Sequence, residues 1–167
     1  MEDENIVVIA MDGSKNAKHA LKTYAEDFHK PNNRVIVVHV ATFSEVSYSS
    51  ATLIPGDPSL VQRIVEAEEE KCEHLMKQLK KELEALKLPG DVIRVNGEAG
   101  HAVLEKAKEL NAKYIVSGSR GLGKIRRTFM GSVSDYLVHH AHIPVVVCKF
   151  DHSHHGDYDL QARRGTL

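Results

Sequence analysis

The stretch Ser117-Gly118-Ser119-Arg120-Gly121-Leu122-Gly123-Lys124, running on to Gly131-Ser132-Val133-Ser134, holds the residue types and spacing that most directly suggest chemistry. Glycines let backbone N–H groups approach a bulky anion with no Cβ in the way. The N-terminus of a following helix adds free N–H donors and partial positive charge. Ser132 and Ser134 supply hydroxyls, and Arg120, Lys124, Arg126 and Arg127 make the segment locally cationic. Residue types alone leave two readings open, a phosphate cradle and a glycine-containing surface loop with no ligand. Asp12 is a second candidate, as an acceptor for a ribose hydroxyl or a base amine, or as a turn or capping aspartate.

These residues have to be positioned by the elements around them. Ile6-Val7-Val8-Ile9-Ala10 is a continuous apolar run, the mark of a strand covered on both faces. Met11-Asp12-Gly13-Ser14 ends it, with Ser14 or Gly13 placed to cap a helix. Ala17, Ala20, Leu21, Tyr24, Ala25 and Phe28 then mark one buried helical face. Val35 to Val40 reads as a second buried strand. Ala41 to Ser59 breaks the rhythm, with Pro55, Gly56 and Pro58, and reads as a long surface loop. Leu60 to Leu88 is the longest helix, with acidic residues early and lysines late, as the helix dipole favours. Asp91 to Val95 alternates in part, which suits a sheet edge. A short helix carrying Ala102, Val103, Ala107 and Leu110 follows. Tyr114-Ile115-Val116 leads into the glycine-rich segment, a helix carries Val133, Tyr136, Leu137 and His140, and Ile143 to Cys148 is the last strand. Strands alternating with helices predict an α/β fold with a largely parallel sheet. Ligands in such sheets bind beyond the carboxyl ends of the strands, where the strand order reverses.

Composition narrows the class. The 167 residues fit one domain spanning 1–150, followed by a polar, histidine-containing tail at 151–167 that is expected to be disordered. Lys and Arg number 22 against 23 Asp and Glu, so no global attraction to nucleic acid is expected. No apolar run approaches bilayer length and the acidic N-terminus lacks a signal pattern, so a soluble cytoplasmic protein without a membrane partner is expected. Cys72 and Cys148 form no C-x-x-C motif and read as buried reduced thiols.

Competing motifs fit poorly. Gly121-Leu122-Gly123-Lys124 lacks the glycine spacing of a P-loop and the Ser or Thr after its lysine. The dinucleotide fingerprint would follow the first strand, not the fourth. His139, His140 and His142 lie at a helix C-terminus, where protonated imidazole suits the dipole, with no carboxylate or thiol completing a metal set nearby. Neither a catalytic triad nor a metal site is expected.

Gly118, Gly121, Gly131 and Ser132 follow the G-x2-G-x9-G-(S/T) spacing. With the Met11-Asp12-Gly13-Ser14 turn, the Val38-His39-Val40 strand end and His142-Ile143-Pro144-Val145, the chain from about Asn5 to Lys149 resembles the ATP-binding branch of the universal stress protein family. The resemblance implies a Rossmann-like fold of the adenine-nucleotide α-hydrolase type, a five-stranded parallel sheet of order 3-2-1-4-5 with helices on both faces. It implies ATP as the cofactor, alone or with Mg, or another adenine nucleotide. Asp12 would contact the adenine or ribose end, Val40 would meet adenine through its backbone, and Ala10 would line the same pocket. Gly118 and Gly121 would let the loop wrap ribose and phosphates. Gly131, Ser132, Val133 and Ser134 would bring N–H and hydroxyl groups to the β- and γ-phosphates. Homodimers through the last strand, Val145 to Lys149, are also implied.

Efficient ATP hydrolysis needs an oriented water and usually a carboxylate-anchored metal. Asp12 alone supplies a carboxylate with a role in the expected crevice, and that role is nucleotide contact. The expectation is therefore a nucleotide-dependent stress-response or signalling protein with at most slow ATPase activity and no catalytic residues to name. The alternatives are an ATP-cleaving, adenylating enzyme of a related α/β fold, and a nucleotide-free dimeric adaptor.

Overall fold

Strand β1 (Asn5–Ala10) lies at the centre of a five-stranded sheet because nearly every side chain in it is apolar and can be covered from both sides. The computed structural model describes residues 4–41, 58–119 and 130–149. After β1 come α1 (Lys15–Thr23), β2 (Asn33–Ala41), α2 (Pro58–Ala85), β3 (Gly90–Asn96), α3 (Ala99–Glu109), β4 (Tyr114–Gly118), α4 (Ser132–His140) and β5 (Val145–Cys148). The sheet order is β3-β2-β1-β4-β5 and every pair is parallel, as the resemblance implied.

Alternation along β1 sends its side chains into two cores. Val7, Ile9 and Met11 pack with Ala17, Ala20, Leu21 and Tyr24 of the α1 segment and with Leu79 and Leu83 of α2. Val8 and Ala10 pack with Val103, Leu104 and Ala107 of α3 and Leu137 of α4. Val7, Val8 and Ile9 are fully buried. Each such side chain contributes about 2 kcal/mol of transfer free energy, which is why β1 anchors the sheet.

Several local readings need correcting. The first helix does not run evenly to Phe28: it gives way to a π-turn at Tyr24–Phe28, closed by His29 N–H donating to the Tyr24 carbonyl at 2.9 Å. That widening lets the Tyr24 hydroxyl reach His29 Nδ1 at 3.1 Å and accept from Asn33 Nδ2 at 3.2 Å. The dipole reading of the long helix fails, because its first turn holds no acid and its last turn no base. Its charges instead pair along the helix, as in Glu68–Lys71 and Glu73–Lys77. Phe28 is 41% exposed, not part of a buried face, and Cys72 is half-buried where a buried thiol was expected. The glycine-rich residues 120–129, the 42–57 part of the expected loop, and the tail lie outside the described residues.

Candidate functional site

The site begins where β1 stops. Asp12 and Gly13 turn the chain upward, and Gly13 has φ +79°, a left-handed conformation that a side chain would strain. A Cβ there would also lie 2.8 Å from Leu75 Cδ1, so α2 packs directly on this turn. Asp12 Oδ1 accepts the Ser14 N–H at 2.9 Å, and Ser14 Oγ accepts the Ala17 N–H at 3.2 Å as the N-cap of α1. Asp12 is thus a turn residue, and that bond holds its carboxylate at the carboxyl end of the sheet. His39 Nδ1 lies 2.9 Å from the Met11 carbonyl. A carbonyl only accepts, so Nδ1 carries the hydrogen, and the end of β2 is tied to the Asp12 turn.

Beside β1, β4 ends at Gly118, and a Cβ on Gly118 would stand 2.8 Å from the Asn16 carbonyl oxygen. The absent side chain here admits the first turn of α1, a packing reason for this glycine that spacing alone did not disclose. Ser119 N–H donates to the Cys148 carbonyl at 2.8 Å, and Gly131 N–H donates to the Ser119 carbonyl at 2.6 Å. These two bonds bring the start of α4 back to the end of β4. Gly131 is the N-cap, so no side chain caps the helix. Ser134 is buried and donates to the Gly131 carbonyl at 2.9 Å, whereas Ser132 is exposed. The backbone N–H groups of the first turn and the Ser132 hydroxyl form the kind of donor set that accepts an anion. β1 and β4 are the neighbours at which the strand order reverses, so the Asp12 turn and this helix end flank one crevice.

A cleft of about 260 Å³ opens on the β2 side of the Asp12 turn. Asp12 and Val40 line it together with His39, Cys72, Leu75 and Arg94, among others. Its volume falls below the roughly 300–1,000 Å³ usual for a whole drug-sized ligand. Arg94 on β3 forms an ion pair with Glu69 on α2. The hydrogen bond from Arg94 holds the Glu69 carboxyl below the ordinary carboxylate range, and the same bond raises Arg94.

Of the sequence-predicted residues, Asp12 and Val40 meet at the cleft, and Gly118, Gly131, Ser132, Val133 and Ser134 gather at the junction of β4 and α4. Ala10 is buried in the α3–α4 core and does not line the cleft. Gly121 and the cations Arg120, Lys124, Arg126 and Arg127 lie outside the described residues. Leu75, Cys72, Glu69 and Arg94 were not anticipated at a site. The α2 residues carry only a helical period, which says nothing of what faces them.

His139 and His140 behave as helix-end residues. His139 Nδ1 and His140 Nδ1 donate to the carbonyls of Asp135 and Tyr136, each at 2.8 Å. Among the described residues no three His, Cys, Asp or Glu side chains group closely enough to hold a metal ion. Both cysteines are free, and burial pushes the Cys148 thiol up. Among the described residues no helix is long and apolar enough to cross a membrane.

Comparison with known proteins covers most of the described structure. Residues 5–149 match the universal stress protein family. The stress response protein NhaX of Bacillus subtilis (strain 168) is 25% identical over 160 residues, spanning 86% of this chain and 96% of its own. The solved hypothetical protein MJ0577 superimposes with a TM-score of 0.72 at 23% identity, over 90% of this chain and 99% of that one. A universal stress protein family protein from Arabidopsis thaliana, solved with AMP bound, does so with a TM-score of 0.63 at 19% identity, over 89% and 93% of the two chains.

Proposed function

Starting from the chain's membership of the universal stress protein family, we propose that it binds adenine nucleotides, ATP foremost, and acts as a nucleotide-dependent stress-response or signalling protein. One observation carries this reading. An uncapped helix N-terminus, entered through Gly131-Ser132, stands at the switch point beside the Asp12 turn. The donors suit phosphates, and the carboxylate suits a ribose hydroxyl or base amine. AMP in the Arabidopsis relative supports the choice of an adenine ligand.

In this reading Gly131, Ser132, Val133 and Ser134 hold the β- and γ-phosphates. Gly118 and Gly121 flank ribose and phosphate, Asp12 takes the ribose or base end, and the Val40 backbone meets the adenine, with Ala10 beneath. Mg enters, where it is needed, on the phosphates. ATP supplies binding energy and a phosphate chain whose loss would be read by the helix end. Nothing among the described residues is assigned to activating a water, so hydrolysis is at most slow. We further propose a cytoplasmic homodimer formed through β5.

Mass spectrometry of nucleotide released on denaturing the purified protein, with calorimetry of ATP binding to wild type and Gly131→Trp, tests the reading. Bound adenine nucleotide, with heat of binding lost in the variant, is the expected result. No nucleotide and no heat in the wild type would leave a nucleotide-free adaptor. Turnover that depends on a second substrate would favour the adenylating enzyme.

A further inference from the structure

Strand β2 outruns β1 at the carboxyl end of the sheet, and a side chain outside the glycine motif governs how the two part company. Ala10 is level with Val38, and the Met11 N–H donates to the Val38 carbonyl at 2.9 Å. The next rung of a regular parallel ladder would run from the Val40 N–H to the Met11 carbonyl. His39 Nδ1 stands there instead, 2.9 Å from that carbonyl. Met11 is buried, so a carbonyl left without a donor there would be costly, and the imidazole N–H supplies one.

Two consequences follow for the cleft. The Val35 N–H donates to the Pro89 carbonyl, so the odd-numbered backbone groups of β2 turn toward β3 and the even-numbered ones toward β1. Past the end of β1, the Val40 backbone therefore turns toward the Asp12 turn, where Val40 lines the cleft. The Met11 carbonyl also belongs to the peptide that joins Met11 to Asp12, so its tilt sets the direction in which the Asp12 side chain leaves the chain. Ser14 holds the Asp12 carboxylate from one side, and Leu75, on the α2 wall of the cleft, packs over Gly13. His39 supplies the remaining restraint.

We propose that His39 is a positioning residue of the nucleotide site: through Nδ1–H it fixes the Met11–Asp12 peptide and keeps the Val40 N–H out of the ladder. This assignment rests on the adenine-nucleotide reading above, and His39 acts in it through Met11 and Val40. Without a donor at Nδ1, the Val40 N–H would close the ladder onto Met11 and rotate the peptide that carries Asp12. The role asks for a donor at the Nδ1 position and for nothing at Nε2. Asparagine bears its amide nitrogen at the position of Nδ1, and glutamine bears one a bond further out, near Nε2. The two amides therefore separate this contact from polarity or bulk.

The full chain is compared with His39→Asn and His39→Gln by calorimetry with ATP, AMP and inorganic tripolyphosphate. His39→Gln is expected to weaken ATP and AMP binding roughly tenfold or more, as a small misplacement of contacting groups does. Its affinity for tripolyphosphate is expected to stay that of the wild type, because the α4 N-terminus is untouched. His39→Asn is expected to bind all three ligands as the wild type does. Nitrogen NMR of the wild-type ring is expected to show the hydrogen on Nδ1, with and without ATP. Unchanged ATP affinity in both variants, equal losses in the two, or a bare Nδ1 overturns the positioning role and leaves the nucleotide reading standing. A loss in His39→Gln that extends equally to tripolyphosphate marks a damaged fold and overturns it as well. A wild type that binds no ATP removes both.

Discussion

The carbonyl oxygen of Asn16 stands 2.8 Å from where a Cβ of Gly118 would be, so α1 and β4 meet backbone to backbone at the mouth of the crevice. Neither partner is the flexible end of a side chain, and neither moves without shifting a helix or a central strand. Gly118→Ala is therefore expected to lower stability by about 1–3 kcal/mol, the usual range for overpacking. ATP affinity should fall with it, because the same strand end positions Ser119 and through it Gly131. Urea denaturation measures the first effect, and a loss below about 0.5 kcal/mol, within the range of neutral surface changes, would contradict this account.

Ser132 and Ser134 separate binding from folding. Ser134 is buried and bonded to the Gly131 carbonyl, so Ser134→Ala should cost about 1 kcal/mol of stability. Ser132 is exposed, and Ser132→Ala should leave stability within about 0.5 kcal/mol of wild type. Under the proposed role, Ser132→Ala still weakens ATP binding severalfold. Calorimetry beside thermal melts decides it: an unchanged affinity would remove Ser132 from the phosphate site.

The Arg94–Glu69 ion pair carries a pH signature. Arg94 lowers the Glu69 pKa in the folded state below its ordinary value of 4.5. Above that value both folded and unfolded states are ionised, and the stabilisation is fully present. As pH falls, the unfolded chain takes up the proton first, and the contribution is lost once pH passes the lowered folded value. Glu69→Gln should therefore have a shallower decline of melting temperature below pH 4.5 than wild type, with parallel curves above it. Identical acid slopes would show that the pair does not form in solution.

Strand β5 offers a clean test of the proposed dimer. The Pro144 and Cys148 carbonyls accept from Ile115 and Ser119, so the even-numbered backbone groups turn toward β4. Those of Val145 and Val147 face outward. Proline is tolerated on an edge strand where its missing N–H points away from the ladder. Val147→Pro should convert a dimer to a monomer in sedimentation while keeping the wild-type circular dichroism spectrum. A dimer that survives the change would have to use another surface.

The strands were readable because Val7, Val8, Ile9, Val35 and Val37 are apolar on both faces, and only a sheet covered on both sides accepts such runs. Ser14 as a cap and β3 as an edge strand were readable for equally local reasons. The π-turn at Tyr24 was not, because its apolar residues keep an ordinary helical spacing and the extra residue is accommodated through a contact to Asn33 from the next strand. The α2 wall escaped for a related cause. Cys72 and Leu75 fit a periodic apolar face, and the period shows which residues share a side without showing that part of that side overlooks a cleft. Gly118 was singled out as a ligand-wrapping glycine, and the structure shows a packing reason for it in the approach of Asn16.

The neighbours of β1 also fix when, during synthesis, the crevice comes into being. β2 and β3 follow β1 and can complete the β3-β2-β1 half of the sheet by residue 96, while β4 begins only at Tyr114 and the α4 N-terminus at Ser132. At 5–20 residues per second, the ribosome takes roughly 1–4 s to pass from residue 96 to the end of β4 at Gly118. Throughout that interval the partly made sheet presents Val7–Ile9 of β1 with β2 on one side and no strand yet on the other. Under the proposed role, nucleotide cannot shorten this exposure, because the α4 N-terminus that would hold its phosphates comes later in the chain. The nascent chain therefore carries an open edge on its central strand before the crevice is complete.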